Sequence, residues 1–191
     1  MRRWLLVGAL FCMVGLAAGQ DVPKAEIFTG YSYGNFKVLS NRSSLDGWNA
    51  SATVNIYRWF GLTTDFGGLY RASGSETLAL PSGITETVSQ RFHTFLFGPQ
   101  ISYRRGNLSA FAHILVGEAL VSEHIQTIGC NGTCATSLSS RPSYGAAVPG
   151  GGLDYSFRRN LAWRIQADYL PIGATNDVRI STGLVFRIGK Q

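Results

Sequence analysis

Residues 179–188 read Arg179-Ile180-Ser181-Thr182-Gly183-Leu184-Val185-Phe186-Arg187-Ile188, and their alternation decides the fold. Ile180, Thr182, Leu184, Phe186 and Ile188 share one face, whereas Arg179, Ser181, Gly183, Val185 and Arg187 share the other. A period of two is that of a β-strand, whose successive side chains point to opposite sides. An amphipathic strand ending an exported chain is what a transmembrane β-barrel needs to close on its first strand. The expected export signal lies at the other end. Met1-Arg2-Arg3, an apolar run from Trp4 to Leu16 and the small residues Ala17-Ala18-Gly19 have the three regions of a cleavable signal peptide, with cleavage after Gly19. The apolar run is shorter than the ~18–20 residues that span a bilayer, which disfavours a membrane anchor. Cys12 follows Phe11 rather than a small residue, so a lipoprotein signal is not expected.

Residues 20–191 are expected to form one domain, and no stretch of them is apolar for long enough to make a transmembrane helix. The chain carries 23 glycines and 12% aromatic residues with only 15% charged ones, a balance that suits a β-barrel better than a helical bundle. Its net charge of +6 includes Arg2 and Arg3, and no run of Lys or Arg resembles a nucleic-acid patch. Nucleic acid is therefore not an expected partner.

Turn signals divide the chain into eight strand-like runs: 26–33, 47–57, 61–70, 92–103, 108–117, 144–155, 161–170 and the closing strand. In the second run Trp48, Ala50, Ala52, Val54 and Ile56 alternate with Asn49, Ser51, Thr53, Asn55 and Tyr57. In the seventh, Leu161, Trp163, Ile165, Ala167 and Tyr169 alternate with Arg164, Gln166 and Asp168. Connections at 57–61, 104–107 and 156–160 are tight. Those at 34–46, 71–91 and 118–143 are long and polar, so long and short alternate as in an up-and-down antiparallel barrel.

Period two does not say which face is wet. Three features favour apolar side chains outside. Aromatic residues gather at the two strand ends, with Tyr31, Tyr33, Trp48, Tyr70, Tyr144 and Tyr169 at one rim. Tyr57, Trp59, Phe60, Tyr103, Tyr155, Phe157, Trp163 and Phe186 gather at the other, as interface girdles do. The polar face holds both signs of charge: Glu26, Asp65, Asp154 and Asp168 with Arg164, Arg179 and Arg187, as a sealed interior network requires. It is also rich in glycine (Gly30, Gly67, Gly98, Gly117, Gly152, Gly183), which leaves room for long Arg side chains.

On these residues the chain resembles the small outer-membrane β-barrel family typified by the OmpA transmembrane domain and the opacity-type porin-like proteins. Ser181-x-Gly183-x-x-Phe186-x-Ile188 resembles the C-terminal signal by which the barrel assembly machinery recognises its clients, although it ends on Ile with three residues following, where a terminal Phe is usual. Gly150-Gly151-Gly152-Leu153-Asp154-Tyr155 and Asp168-Tyr169 are also similar to stretches of this family. The resemblance implies an eight-stranded antiparallel barrel in the cell outer membrane, with outer-membrane lipid and the assembly machinery as partners and no cofactor.

Other chemistry is thinly represented. Cys130-Asn131-Gly132-Thr133-Cys134 sets an Asn-Gly turn between two cysteines, which in an exported chain points to a loop-stapling disulfide of Cys130 with Cys134. The alternative, a metal site, lacks ligands. Ser122-Glu123-His124 contains triad residue types, but adjacency in a strand does not build a triad, nor does it resemble the His-x-Ser pattern of lipid A deacylase barrels. His113 reads as an interior structural histidine. Arg58, Arg104, Arg105, Arg158 and Arg159 fall on the tight turns, either as solvated turn residues or as contacts to anionic headgroups.

The expected role is structural: a membrane-embedded barrel presenting loops, its lumen filled by side chains, with no catalytic activity. A narrow pore, a lipid-modifying barrel enzyme and a soluble lipocalin-like ligand-binding barrel are the alternatives. The external ligand is not legible.

Overall fold

The computed structural model describes residues 22–38, 41–71, 76–79, 85–128, 135–140, 143–172 and 175–189. Ten strand segments run in chain order: β1 (Ala25–Val38), β2 (Asn41–Asn55), β3 (Phe60–Arg71), β4 (Glu76–Ala79) and β5 (Thr85–Arg105), then β6 (Leu108–Ile128), β7 (Ala135–Ser140), β8 (Ser143–Arg158), β9 (Leu161–Ile172) and β10 (Thr175–Ile188). Eight of them close an antiparallel barrel in the order β1-β2-β3-β5-β6-β8-β9-β10, and β10 pairs back onto β1. Closure gives each of these eight strands a partner on both sides. The closing register sets Ile27 opposite Phe186 and Gly30 opposite Gly183.

The two remaining segments, β4 and β7, extend the hairpins at one end by pairing with β5 and β6. Three segments expected as long loops are thus largely paired strand. β1 and β2 continue to Val38 and Asn41, and β5 and β6 are each 21 residues long. A transmembrane strand needs only about 9–11 residues. In the outer parts of these hairpins the sequence lacks a clean apolar–polar alternation, so period two did not mark them, although the strand pairing continues.

The other end carries tight connections. Gly106-Asn107 joins β5 to β6, with Gly106 at φ 59°, the left-handed region that glycine enters without a Cβ clash.

Apolar side chains point outward around the whole barrel. Trp48, Val54, Phe97, Ile101, Trp163, Ile165, Leu184 and Phe186 are all exposed, between 41% and 58%. Trp163 hides its only polar group by donating Nε1–H to Thr182 Oγ1 at 2.7 Å. Both aromatic rims are present: Tyr31, Tyr33, Trp48, Tyr144 and Tyr169 at the end of the long hairpins, and Tyr57, Trp59, Tyr103, Tyr155 and Phe157 at the tight turns. Phenol groups of the first rim are tethered locally, Tyr31 to Asp46 and Tyr33 to Ser44.

Candidate functional site: the charge network of the lumen

The inward faces of five strands deliver the charged groups expected in the interior. Glu26 comes from β1, Asp65 from β3, Asp154 from β8, Arg164 and Asp168 from β9, and Arg179 and Arg187 from β10. Glu26, Asp65, Asp154, Arg164, Asp168 and Arg179 are each at most 3% exposed, and the Arg187 side chain 11%. An ion taken out of water this far requires paired charges and satisfied hydrogen bonds.

The groups form two clusters. Toward the tight turns, Arg164 makes a bidentate contact with Asp154, Nε to Oδ1 at 2.7 Å and Nη2 to Oδ2 at 2.9 Å, and a third bond to Glu26 at 3.3 Å. Its guanidinium lies over the Phe111 ring at 4.2 Å and the Phe28 ring at 5.4 Å, within cation–π range. Arg187 reaches Asp154 at 3.4 Å and Glu26 at 3.6 Å, and donates to Ser156.

In the second cluster, Arg179 donates to Asp168 from Nε at 3.0 Å and from Nη2 at 2.7 Å, and to Asp65 at 2.8 Å. Asn49 donates to Asp65 at 2.8 Å, and Gln166 donates to Asp168 at 3.1 Å. His113 Nε2 stands 2.9 Å from Asp168 Oδ1, so this histidine is held in the network.

Register explains the pairing. Arg179 and Asp168 are direct cross-strand partners in the β9–β10 hairpin, and Glu26 sits opposite Arg187 across the closing seam. Arg164 and Asp154 face one another between β8 and β9 only because of a β-bulge. Continuing the register of Arg158↔Leu161 would put Asp154 opposite Ile165, a residue of the outward face; a shift between Ser156 and Arg158 restores Asp154↔Arg164.

Three features of the interior differ from the sequence expectation. Arg104, read as a turn residue, is an interior group: its side chain is 8% exposed, pairs with Glu26 at 3.1 Å and donates to the Arg58 carbonyl at 2.7 Å. Extending the inward alternation of β5 by two residues beyond Ser102 would have found it. The inward face is also partly apolar. Leu45, Leu69, Phe92, Leu96, Leu115, Val121, Val148 and Leu170 form a buried cluster that extends to the outer ends of the strands. Of the six glycines expected to make room for Arg, Gly67 does so, since a Cβ there would lie 2.5 Å from Arg179 Nη1. At Gly30, Gly98, Gly117, Gly152 and Gly183 a Cβ would first strike the backbone of a neighbouring strand. Gly150 is a further position where side chains crowd, here Asp168 and His113.

The closing-strand motif is laid out by the same alternation. Ser181 is buried and hydrogen-bonded to Ser32 at 2.6 Å, Gly183 faces Gly30, and Phe186 and Ile188 point outward. Ser122, Glu123 and His124 run consecutively in β6, paired with Arg91, Gln90 and Ser89. His93 stands at the rim, 3.2 Å from the Tyr70 hydroxyl. Among the described residues no group of three or more His, Cys, Asp or Glu side chains could hold a metal ion. The signal segment and Cys130 and Cys134 lie outside the described residues.

A closed eight-stranded barrel, apolar outside and charged within, is the fold of the small outer-membrane β-barrels, and solved structures carry that likeness. The chain is similar to Ail, the attachment invasion locus protein of Yersinia pestis, with a TM-score of 0.60 at 16% identity, over 87% of this chain and 99% of Ail. It is also similar to Neisserial surface protein A, with a TM-score of 0.59 at 9% identity over 86% of this chain and 97% of the other. For the N-terminal β-barrel domain of Pseudomonas aeruginosa OprF the values are 0.50 and 13%, over 87% and 98%. No protein-family model and no curated protein matches the sequence.

Proposed function

We propose that this chain is a non-catalytic barrel of the cell outer membrane that anchors and presents its outer hairpins, with a lumen closed by side chains. The observation that carries the reading is the polarity of the wall: large apolar side chains are exposed all around it, while the ion pairs are buried inside. In water such a surface would be an aggregation liability, whereas in a bilayer it is a solvent match. Similarity of fold to Ail, Neisserial surface protein A and OprF supports the same location. The interior ion pairs and the apolar cluster support closure, because together they occupy the space that a water-filled channel would need.

The rest of the reading follows from export. Residues 1–19 direct secretion and are cleaved after Gly19; residues 20–191 form the barrel domain. Ser181, Gly183, Phe186 and Ile188 present the closing strand to the barrel assembly machinery, and Cys130 pairs with Cys134. The test is membrane fractionation combined with a heat-modifiability gel and planar-bilayer recording. The expected protein is in the outer-membrane fraction, migrates differently before and after boiling, and gives no steady conductance. Extraction without detergent would refute the location, and a stable single-channel current would refute the closed lumen.

A further inference from the structure

The cluster nearest the tight turns is not charge-balanced. Among the described residues, Arg104, Arg164 and Arg187 supply three guanidiniums against the two carboxylates Glu26 and Asp154. One positive charge is left over in a buried setting, where an unmatched ion is costly. Arg104 and Arg187 both line a cavity of about 340 Å³ at the tight-turn mouth of the barrel, bounded also by Asn107, Ser156, Arg158 and Asn160. That volume is at the small end of the roughly 300–1,000 Å³ of small-molecule sites.

Two of the residues that line this cavity also carry a buried donor that is not used. The Arg104 side chain, more than nine-tenths buried, spends its Nη atoms on Glu26, Asn55 and the Arg58 carbonyl, yet its Nε–H has no acceptor among the described residues. Arg187 Nε–H likewise makes no hydrogen bond, since Glu26 stands at 3.6 Å. A buried donor without an acceptor costs free energy, and two of them beside an unmatched positive charge suit a small oxyanion.

We propose that the tight-turn mouth is an anion site taking a phosphate-bearing group, with Arg104 and Arg187 as its floor and Arg158 at its rim. Guanidinium forks match the geometry of phosphate oxygens, and amide groups of Asn107 and Asn160 add neutral donors. The phosphate has two possible carriers. Phe157 lines this cavity and also an apolar groove formed with Tyr155, Trp163 and Leu184 on the outer wall. A lipid would seat its phosphate in the cavity and a chain in that groove, whereas a free phosphate would use the cavity alone.

The test uses the full mature barrel with nitrogen-15 arginine, whose Nε–H signals are read by NMR. One arm titrates inorganic phosphate at constant ionic strength into the barrel in uncharged detergent. The other compares phosphatidylcholine nanodiscs with and without phosphatidylglycerol. The expected result is a saturable shift of the Arg104 and Arg187 signals while the Arg179 signal stays still. A response in the first arm assigns a soluble phosphate; a response confined to phosphatidylglycerol discs assigns a lipid headgroup. Arg158→Gln, an exposed rim change, should weaken binding by about tenfold, the loss of one charge-assisted contact. Arg105→Gln, an exposed change at the same end of the barrel and outside the cavity lining, should leave it unchanged. No saturable shift in either arm overturns the site, and so does an equal loss in Arg105→Gln, which would reduce it to diffuse attraction. Insertion is scored separately by heat modifiability, so failure of the site is distinguishable from failure of the outer-membrane reading.

Discussion

Removing a carboxylate from the cluster around Arg164 should cost more than removing the arginine itself. Asp154 accepts two bonds from Arg164, at 2.7 and 2.9 Å, and stands 3.4 Å from Arg187. Asp154→Asn keeps the shape but replaces an anionic oxygen by an amide group, leaving three guanidiniums around Glu26 alone. Arg164→Met keeps most of the volume and leaves two guanidiniums with two carboxylates, a balanced set. Its sulfur would also retain some contact with Phe111. Breaking a buried ion pair costs about 3–5 kcal/mol. We therefore expect Asp154→Asn near the top of that range, and Arg164→Met at about 3 kcal/mol or below. The double variant should fall short of the sum by about 1–3 kcal/mol, the coupling of residues that share contacts. Reversible urea unfolding from phospholipid vesicles, followed by tryptophan fluorescence, measures all three. The reasoning fails if Arg164→Met is at least as destabilising as Asp154→Asn, or if both cost no more than the roughly 0–1 kcal/mol of a surface pair.

Three other outcomes test separate parts of the structure. Ile165→Arg, on the outward face between Trp163 and Ala167, should lower stability in vesicles by about 2–4 kcal/mol if that face meets the bilayer midplane. Gly67→Ala would press a methyl group to 2.5 Å from Arg179 and 2.6 Å from Thr94, and should cost about 1–3 kcal/mol. Gly145→Ala in β8, with nothing within 4 Å, serves as the near-neutral control in the same unfolding assay. Thiol labelling of the denatured, unreduced mature protein should find no free cysteine, and two labelled thiols would exclude the Cys130–Cys134 disulfide.

The barrel was most legible where its two faces meet uniform surroundings. β9 and the inner part of β10 alternate without interruption because each residue meets either an apolar exterior or a packed interior, and the sequence records that contrast. Strand ends were less legible for the opposite reason: in the projecting parts of β5 and β6 the contrast between faces fades while the pairing persists. The charged residues of the interior could be named from their shared face, but their partners could not, because pairing depends on register. The bulge between Ser156 and Arg158 is the clearest case, since it alone brings Asp154 into line with Arg164. The inward Phe28 and Phe111 and the Leu96–Leu115 cluster carried no signal that distinguishes them from outward apolar residues except their position in the alternation. Arg104 was obscured by its neighbour Arg105, which makes a turn-like basic pair of a residue whose side chain runs inward.

The order of the ion pairs along the chain has a consequence for assembly. Arg164 and Asp154 are ten residues apart, and Arg179 and Asp168 eleven, each pair spanning a single hairpin. The meander β8-β9-β10 therefore holds two Arg–Asp pairs that form as soon as its hairpins do, while Arg187 of β10 also looks to Glu26 across the closing seam. Glu26 and Asp65 join from sequence separations of 138 and 114 residues, which require most of the chain to be in place. Contacts that close such large loops form late, whereas hairpin contacts are entropically cheap. Arg164 and Arg179 thus have counterions within β8-β9-β10 before the barrel closes, so these two buried charges need not wait for the N-terminal strand.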